Sequence, residues 1–419
     1  MLKKISLQNI SKINLLNNTL IIFIGFLPVI LLTGNALINI FVIVIDIIFL
    51  ITLYNYKNKY FFIKDNHLYL LIFFFFSLII NLFFSINFSN SILRTIGFAR
   101  FIVLVFAIKY TFEILLSSSQ KKKILLFWLL TFSLVTIDIF FENISGKSIS
   151  GNYSTMPGRI SSFLGEELKI GGFYFGLILI SLVTIFYNKK NKVFFFFSIT
   201  IFLIAIFITG ERSNFIKSFF SVIIFIFVFE KKFFFKKIFL IIFLMLFFLI
   251  LITFNEGLRT RYNNLFLGPL FKLGIVETLK QTQYGAHYLT AIKILKNNFY
   301  FGIGLKNFWQ ESSNDIYEDK NLMFSETRVS THAHNIHFEF LSETGIVGYT
   351  CFLIFISIGI FLSIKNFLYK RNLLNLSGLL FIFVSLIPLI PSGSFFSTFN
   401  CTIFFINYAF MITNFNKNY

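Results

Sequence analysis

The chain has 419 residues, of which 57% are hydrophobic and 13% are charged, and 66 are phenylalanine. Soluble domains carry charge at about a quarter of their positions, so this composition excludes a soluble globular protein. The formal net charge of +19 does not indicate nucleic-acid binding, because the basic residues are spread between apolar segments instead of forming one patch. The two cysteines also lie in apolar segments, which excludes a disulfide framework.

Apolar segments of about 20 residues, the length that crosses a bilayer, recur along the chain. They predict an all-α polytopic membrane protein with about 12 transmembrane helices. The first nine helices belong to residues 1–254 and the last three to residues 345–419; the first two segments could instead form one re-entrant pair. The predicted spans are 18–33, 36–54, 68–86, 96–116, 124–141, 171–187, 193–209, 214–230, 238–254, 345–364, 373–391 and 396–414.

Lysine-rich connections alternate with connections that almost lack lysine. By the positive-inside rule the lysine-rich set is cytoplasmic, and both termini lie on that side. This set contains Lys3, Lys4, Lys12, Lys57, Lys59, Lys64, Lys121–Lys123, Lys189, Lys190, Lys192, Lys231, Lys232, Lys236, Lys237, Lys365, Lys370, Arg371 and Lys417. The short connections "TGN" (33–35), "TGERS" (209–213) and "PSGS" (391–394) are then on the outer side.

Two outer connections are long. Residues 142–170 form a medium loop, and residues 255–344 form a large loop that carries a histidine-rich motif. The large loop mixes aromatic and charged residues with helical stretches such as "YLTAIKILKNN", so we expect it to be folded and not to act as a linker.

The arginines are distributed differently from the lysines. The chain has eight arginines and twenty-nine lysines, and every arginine except Arg371 lies on an outer loop or at an outer helix end. A topology signal needs only charge, whereas the planar guanidinium grips phosphate or carboxylate through two parallel hydrogen bonds. The outer arginines therefore suggest an anionic ligand, such as a lipid-linked pyrophosphate. The alternatives are contact with lipid headgroups and pairing with the outer glutamates.

Among these arginines, Arg212 has the strongest case for a functional role. It lies in "ITGERSNF", at the junction of two apolar segments, where a charge is costly. Glu211 beside it is the expected neutralising partner.

The stretch "STHAHNIHFEFLSETGIVG" places His332, His334 and His337 directly before an apolar segment. An imidazole titrates near neutral pH, which suits a general base that takes a proton from a sugar hydroxyl. His334 and His337 would share one face if both lay on a helix. The alternatives are a simple helix start, with His332 or Asn335 bonded to loop backbone, and a three-histidine metal site. The metal site is disfavoured because no cysteine joins the histidines and Glu339 lies off their face.

The same stretch resembles the signature of the bacterial O-antigen ligase and O-antigen polymerase superfamily, a His-Asn pair followed by Glu-x-Gly-x-x-Gly at the start of a transmembrane helix. The segments "GRISSFLGEE", "TGERS" and "AIKILKNNFYFGIGLKNF" are similar to further segments of that superfamily, in the same order. The resemblance covers residues 158–348. The chain departs from the pattern at Phe299 (commonly proline), at Tyr284 and His287 (near a common arginine) and at Glu211 (serine).

This resemblance implies roles for individual residues. His334 corresponds to the histidine that the superfamily requires for activity, Arg212 to the arginine of its turn and Arg159 to its outer-loop arginine. We expect further contacts with the pyrophosphate or the glycan from Arg259, Arg261, Arg328, His337 and Glu343.

The resemblance also implies a GT-C-like fold and a reaction on the periplasmic side of the bacterial inner membrane. A glycan would move from an undecaprenyl-pyrophosphate carrier to an acceptor hydroxyl, with neither a metal nor another cofactor. The acceptor would be lipid A–core for a ligase, or a second lipid-linked glycan for a polymerase; membrane lipids surround the chain, and nucleic acid is not a partner. The alternative is a transporter or flippase of lipid-linked oligosaccharide, although such proteins usually show two related halves and bind near the midplane.

Overall fold

The computed structural model describes residues 7–55, 64–189, 191–229, 234–319 and 322–415. Within these ranges all regular secondary structure is helical. Eight lysines of the predicted cytoplasmic set fall outside them: Lys3, Lys4, Lys57, Lys59, Lys190, Lys231, Lys232 and Lys417.

Twelve helices in the described ranges are apolar, and each overlaps one predicted span. Eight of them are long and apolar enough to cross a membrane, and four are shorter: Asn14–Gly25, Lys192–Ile208, Leu373–Ser385 and Thr398–Ile412. The prediction of an all-α polytopic membrane protein is therefore confirmed. The twelve helices are α1 (Leu7–Gly25), α2 (Asn35–Asn55), α3 (Asn66–Phe83), α4 (Phe88–Tyr110), α5 (Ser118–Ser145), α6 (Ile170–Lys189), α7 (Lys192–Ile208), α8 (Arg212–Phe229), α9 (Phe234–Phe254), α13 (Ile336–Lys370), α14 (Leu373–Ser385) and α15 (Thr398–Ile412).

Between α9 and α13 lie three α-helices of at least five residues, α10 (Gly268–Lys280), α11 (Gln283–Asn297) and α12 (Phe308–Ser312), with single helical turns at Glu256–Leu258, Asp315–Tyr317 and Ser325–Arg328. A π-helical segment, Arg259–Leu267, precedes α10. Residues of this region form a small hydrophobic core of their own, which includes Ala291, Ile294 and Phe308. The long connection is thus a packed unit that can hold side chains in fixed positions.

Helix α13 is interrupted at Gly345, whose backbone is left-handed (φ +63°). An interruption leaves helical N–H and C=O groups without partners, and each needs a new one. Here the turn passage 299–304 supplies them, with its own Gly302 in backbone contact with Gly345. Four hydrogen bonds of 2.8–3.1 Å join the two segments: Ile346 N–H to Phe299 C=O, Val347 N–H to Tyr300 C=O, Ile303 N–H to Ser342 C=O and Gly304 N–H to Glu343 C=O.

Some of the connections that the lysine pattern assigns to the same side lie near one another in the described residues. At one end of the bundle, Asp65 beside the 57–64 connection forms an ion pair with Lys109 in the last turn of α4, and Lys370 donates a 2.6 Å hydrogen bond to Asn414. Four connections of the predicted outer set, 142–170, 209–213, 255–344 and 391–394, contribute residues to the pocket described next.

Candidate functional site

A partly open pocket of about 320 Å³ lies where four connections of the predicted outer set meet. Five phenylalanines and several smaller apolar residues form one part of its wall. The other part is strongly basic, with five cations beside one carboxylate and one histidine. The cations are Arg159, Lys169, Arg212, Lys217 and Arg261; the carboxylate is Glu211 and the histidine is His334. A wall that joins excess positive charge to an apolar surface fits a ligand with an anionic group and a hydrocarbon portion.

Carboxylates at the end of α5 fix the loop that carries Arg159. Asp138 accepts hydrogen bonds from the Ile149 N–H (2.6 Å) and the Ser162 hydroxyl (2.5 Å). Glu142 accepts from the N–H and hydroxyl of Ser161 at 2.8 and 2.7 Å. Because these buried acids bind the loop on both sides of residues 150–160, Arg159 reaches the pocket from a rigid support.

Glu211 connects three separate segments at the pocket wall. Its carboxylate accepts hydrogen bonds from the Gly171 N–H (2.8 Å) and the Asn214 side chain (2.6 Å), and lies 3.5 Å from the Arg159 guanidinium. Burial raises the pKa of the Glu211 carboxyl, and the charge of Arg159 opposes that shift. The expected pair of Glu211 with Arg212 is therefore replaced by a pair with Arg159, which approaches from the neighbouring loop.

Arg212 and Arg261 are held by backbone carbonyls. Arg212 donates to the Leu265 C=O at 3.0 Å, and Arg261 donates to the Gly210 C=O at 3.4 Å through two of its nitrogens. Neither guanidinium forms an ion pair with a carboxylate of the described residues. Burial and the charges of Arg212 and Arg159 lower the pKa of Arg261, so the three arginines repel one another. An anion in the pocket would relieve that repulsion.

His334 lies before the start of α13 and not on it. Its backbone is left-handed (φ +52°), and the next residue, Asn335, caps the helix by accepting from the His337 N–H at 2.9 Å. The Ser392 N–H donates to the His334 C=O at 2.8 Å, and the loop of Ser392 is itself bound to α13, where Glu339 accepts from Ser394. The expectation that His334 and His337 share a helix face is therefore wrong, whereas the alternative of a capped helix start is correct for Asn335.

Three imidazoles pack together at the pocket edge. The His334 ring lies 4.0 Å from the His332 ring and 4.6 Å from the His287 ring, measured between centroids. Burial and the proximity of His334 lower the pKa of His332 to about 3 and that of His287 to about 4, and burial also lowers the pKa of His334. All three rings are thus neutral at pH 7. In the described part of the chain, no group of three His, Cys, Asp or Glu side chains is arranged to hold a metal.

Two of the remaining expected residues, His337 and Glu343, do not line the pocket. The His337 ring is 2.9 Å from both the Tyr349 hydroxyl and the Leu386 C=O, so one of its nitrogens is bonded within α13 and the other joins α13 to the end of α14. Glu343 is buried, and its carboxylate accepts from the backbone N–H groups of Lys306 and Phe308. Both side chains thus stabilise the packing of α13 and of the segments bound to it, outside the pocket.

Arg259 and Arg328 also lie outside the pocket lining. Arg259 is exposed. Arg328 is buried and lies 3.6 Å from Asp315, while its backbone forms a hydrogen bond with His287. Arg328 thus contacts the imidazole cluster through its backbone, at His287.

Two cations of the pocket, Lys169 and Lys217, are not among the site residues predicted from the sequence. Lys169 forms an exposed ion pair with Glu167 at 2.9 Å. Lys217 lies inside the predicted span 214–230, near its outer end. A lysine in the predicted outer half of an apolar span is contrary to the positive-inside pattern. This position was the sequence feature that could have indicated a ligand-binding role for Lys217.

Residues 196–353 match the family described as O-antigen ligase. The matched segment contains Arg212, Arg261, Lys217 and His334, whereas Arg159 precedes it. No curated protein matches the chain.

Proposed function

Since its residues 196–353 carry the O-antigen ligase domain, the chain belongs to the O-antigen ligase and polymerase superfamily, and we propose that it transfers a glycan from undecaprenyl pyrophosphate to an acceptor hydroxyl. The reaction takes place at the periplasmic face of the bacterial inner membrane, with both termini in the cytoplasm. The observation that carries the proposal is the convergence of Arg159, Arg212, Arg261 and His334 on one pocket.

The arginines act on the leaving group. As the bond between the anomeric carbon and the phosphate oxygen breaks, the bonding pair stays with the pyrophosphate, whose negative charge grows. Guanidinium groups that already surround that position stabilise the transition state more than the ground state, an effect of about 3–4 kcal/mol for a single well-placed donor. In this proposal arginine supplies the positive charge, so the reaction needs no metal and no other cofactor.

His334 acts on the acceptor. Its Nε2 is 3.1 Å from the Ser330 hydroxyl. If Nε2–H donates to that hydroxyl, Nδ1 carries the lone pair and takes the proton from the acceptor oxygen while that oxygen forms the new bond to the anomeric carbon. The lowered pKa of His334 keeps the ring in the neutral form that this step requires at pH 7.

The apolar part of the pocket receives the lipid. Phe175 on α6, Phe381 on α14 and Phe404 on α15 line it. A polyprenyl chain that leaves the pocket between these helices would remain in contact with apolar side chains and the bilayer. The combination of basic and apolar walls therefore supports a lipid-linked donor over a soluble nucleotide sugar.

A deletion strain separates the possible acceptors and the rival function. A ligase that uses lipid A–core predicts that full-length lipid-linked polymer accumulates and lipopolysaccharide loses its O-chains. A polymerase that uses a second lipid-linked glycan predicts that only single repeat units are attached. A flippase of lipid-linked oligosaccharide predicts that single lipid-linked units accumulate on the cytoplasmic side, and that result would refute the proposed transfer.

A further inference from the structure

Lys217 is the deepest cation of the pocket along α8. It lies five residues after Arg212, which corresponds to about 7.5 Å along the helix axis. Its side chain is 4% exposed and lines the pocket. It shares a helix face with Ser213 and Asn214, which also line the pocket.

The pocket offers Lys217 no internal counter-charge. The only carboxylate in the lining, Glu211, is already engaged by Arg159, the Gly171 N–H and Asn214. Within the described residues Lys217 forms no ion pair. A buried ammonium without a partner is costly, and charged residues inside membrane helices generally belong to ligand or ion sites.

Contact with lipid headgroups does not account for this position. A lysine that extends towards the membrane surface keeps its ammonium in water, whereas Lys217 is almost completely buried. A role as a topology signal is also excluded, because Lys217 is near the end of α8 that follows the outer connection "TGERS".

We propose that Lys217 binds the phosphate next to the lipid in a lipid diphosphate, while the arginines bind the phosphate next to the sugar. This inference rests on the proposed function. A diphosphate that links a lipid to a sugar must present its lipid-side phosphate deeper in the membrane, because the hydrocarbon follows it inwards. The order of the cations along α8, with Arg212 at its start and Lys217 deeper, matches the order of the two phosphates.

It follows that Lys217 is a specificity-determining residue. A lipid monophosphate can satisfy either the arginines or Lys217, but a diphosphate satisfies both. Lysine suits the deeper site, because its compact charge on a flexible stem can reach a phosphate between phenylalanines without the planar clearance that a guanidinium needs.

The test measures equilibrium binding to the full chain reconstituted in lipid nanodiscs. The ligands are undecaprenyl diphosphate, undecaprenyl monophosphate and inorganic pyrophosphate, and the variants are wild type, Lys217→Met and Lys217→Gln. The control variant is Lys123→Met, which removes an exposed lysine that does not line the pocket. Two Lys217 variants are used so that one remains if the other does not fold.

Loss of one charge-assisted hydrogen bond corresponds to a change of about tenfold to hundredfold in affinity. We expect the Lys217 variants to weaken undecaprenyl diphosphate binding by that factor and monophosphate binding by less than about threefold. If the Lys217 variants also bind inorganic pyrophosphate more weakly, Lys217 contacts the diphosphate group itself. If their affinity for pyrophosphate is unchanged, Lys217 binds the diphosphate only when it is linked to the lipid.

The inference is overturned if the variants bind undecaprenyl diphosphate as wild type does, or if monophosphate binding falls by the same factor. Either result leaves the proposed function intact, provided that glycan transfer still depends on His334. Glycan transfer that does not depend on His334 would instead contradict the proposed function, whether or not the Lys217 variants change ligand binding.

Discussion

The guanidinium of Arg159 lies 3.5 Å from the carboxylate of Glu211, and this pair joins the 142–170 loop to the turn between α7 and α8. Glu211 also accepts from the Gly171 N–H at the start of α6. One buried carboxylate thus positions an arginine of the pocket, the turn that carries Arg212 and the first residues of a third helix. The serine that the superfamily resemblance predicts at this position has no charge with which to do so.

Glu211→Gln should reduce glycan transfer by about tenfold or more, because hydrogen bonds to a charged group contribute roughly 1.5–3 kcal/mol. In the variant, the side-chain NH₂ group of the new amide faces an N–H group that donates to the Glu211 carboxylate in wild type, so that hydrogen bond is lost. Arg159 also loses its ion pair. The measurement is the initial rate of transfer with the lipid-linked donor. Glu277→Gln is the matched control, since Glu277 forms an exposed ion pair with Lys280; equal rates for the two variants would contradict the role of Glu211.

His334 and His337 should affect different properties. His337→Ala leaves the Tyr349 hydroxyl and the Leu386 C=O without their partner, which should lower the free energy of unfolding by about 1–3 kcal/mol. His334→Asn should leave stability nearly unchanged, because asparagine tolerates the left-handed backbone that His334 adopts. Thermal unfolding of the purified variants tests both expectations. An equal loss of stability in His334→Asn would mean that His334 is a packing residue.

The imidazole cluster should make stability depend on pH. In the unfolded chain a histidine has a pKa of 6.5, whereas burial lowers the pKa of His287 to about 4 and of His332 to about 3 in the folded chain. Between the folded and unfolded pKa values, the unfolded chain binds more protons than the folded chain. The free energy of unfolding therefore has its full value above about pH 6.5 and decreases progressively as pH falls towards 4 and 3. Thermal midpoints between pH 4 and 8 measure the effect.

The variant His287→Asn/His332→Asn provides the comparison for that pH series. Without the two titrating groups, the decline of the thermal midpoint below pH 6.5 should be shallower than in wild type. A decline of the same slope would mean that other groups cause it.

Gly345→Ala should prevent stable folding of the junction between α13 and the 299–304 passage. A Cβ at residue 345 would lie 2.5 Å from the Gly302 nitrogen and the Tyr300 carbonyl, and the backbone there is left-handed. Gly34→Ala is the matched control, because Gly34 also has a positive φ (+94°) but nothing lies within 4 Å of its Cβ position. We expect the control to lose only about 1–2 kcal/mol and Gly345→Ala to lose more, as yield and thermal midpoint report. Equal losses would exclude the collision.

The membrane helices were predictable because apolar length is a local property of the sequence. The pocket was partly predictable for another reason. The arginines of the connections predicted to be outer differ in residue type from the lysines predicted to be cytoplasmic, and three of these arginines line the same pocket as His334. The roles of His337 and Glu343 were not predictable. Each depends on a partner that is distant in sequence or on the interruption at Gly345, and neither leaves a periodic pattern.

The role of Lys217 was not predictable for a different reason. Its presence in an apolar span was visible, but hydropathy cannot tell whether a side chain faces lipid, a helix or a cavity. Only the packing of α8 against α6 and α14 turns Lys217 towards the arginine-lined space.

The most direct measurement of the central claim is single-turnover glycan transfer by the purified chain in lipid bilayers, with an undecaprenyl-pyrophosphate-linked donor and its acceptor. Wild type is compared with Arg212→Ala and His334→Asn, each confirmed to be folded by its thermal midpoint. We expect both variants to lose activity by about a hundredfold or more, because one removes charge stabilisation of the leaving group and the other removes the base. Transfer at the wild-type rate by both folded variants would contradict the account.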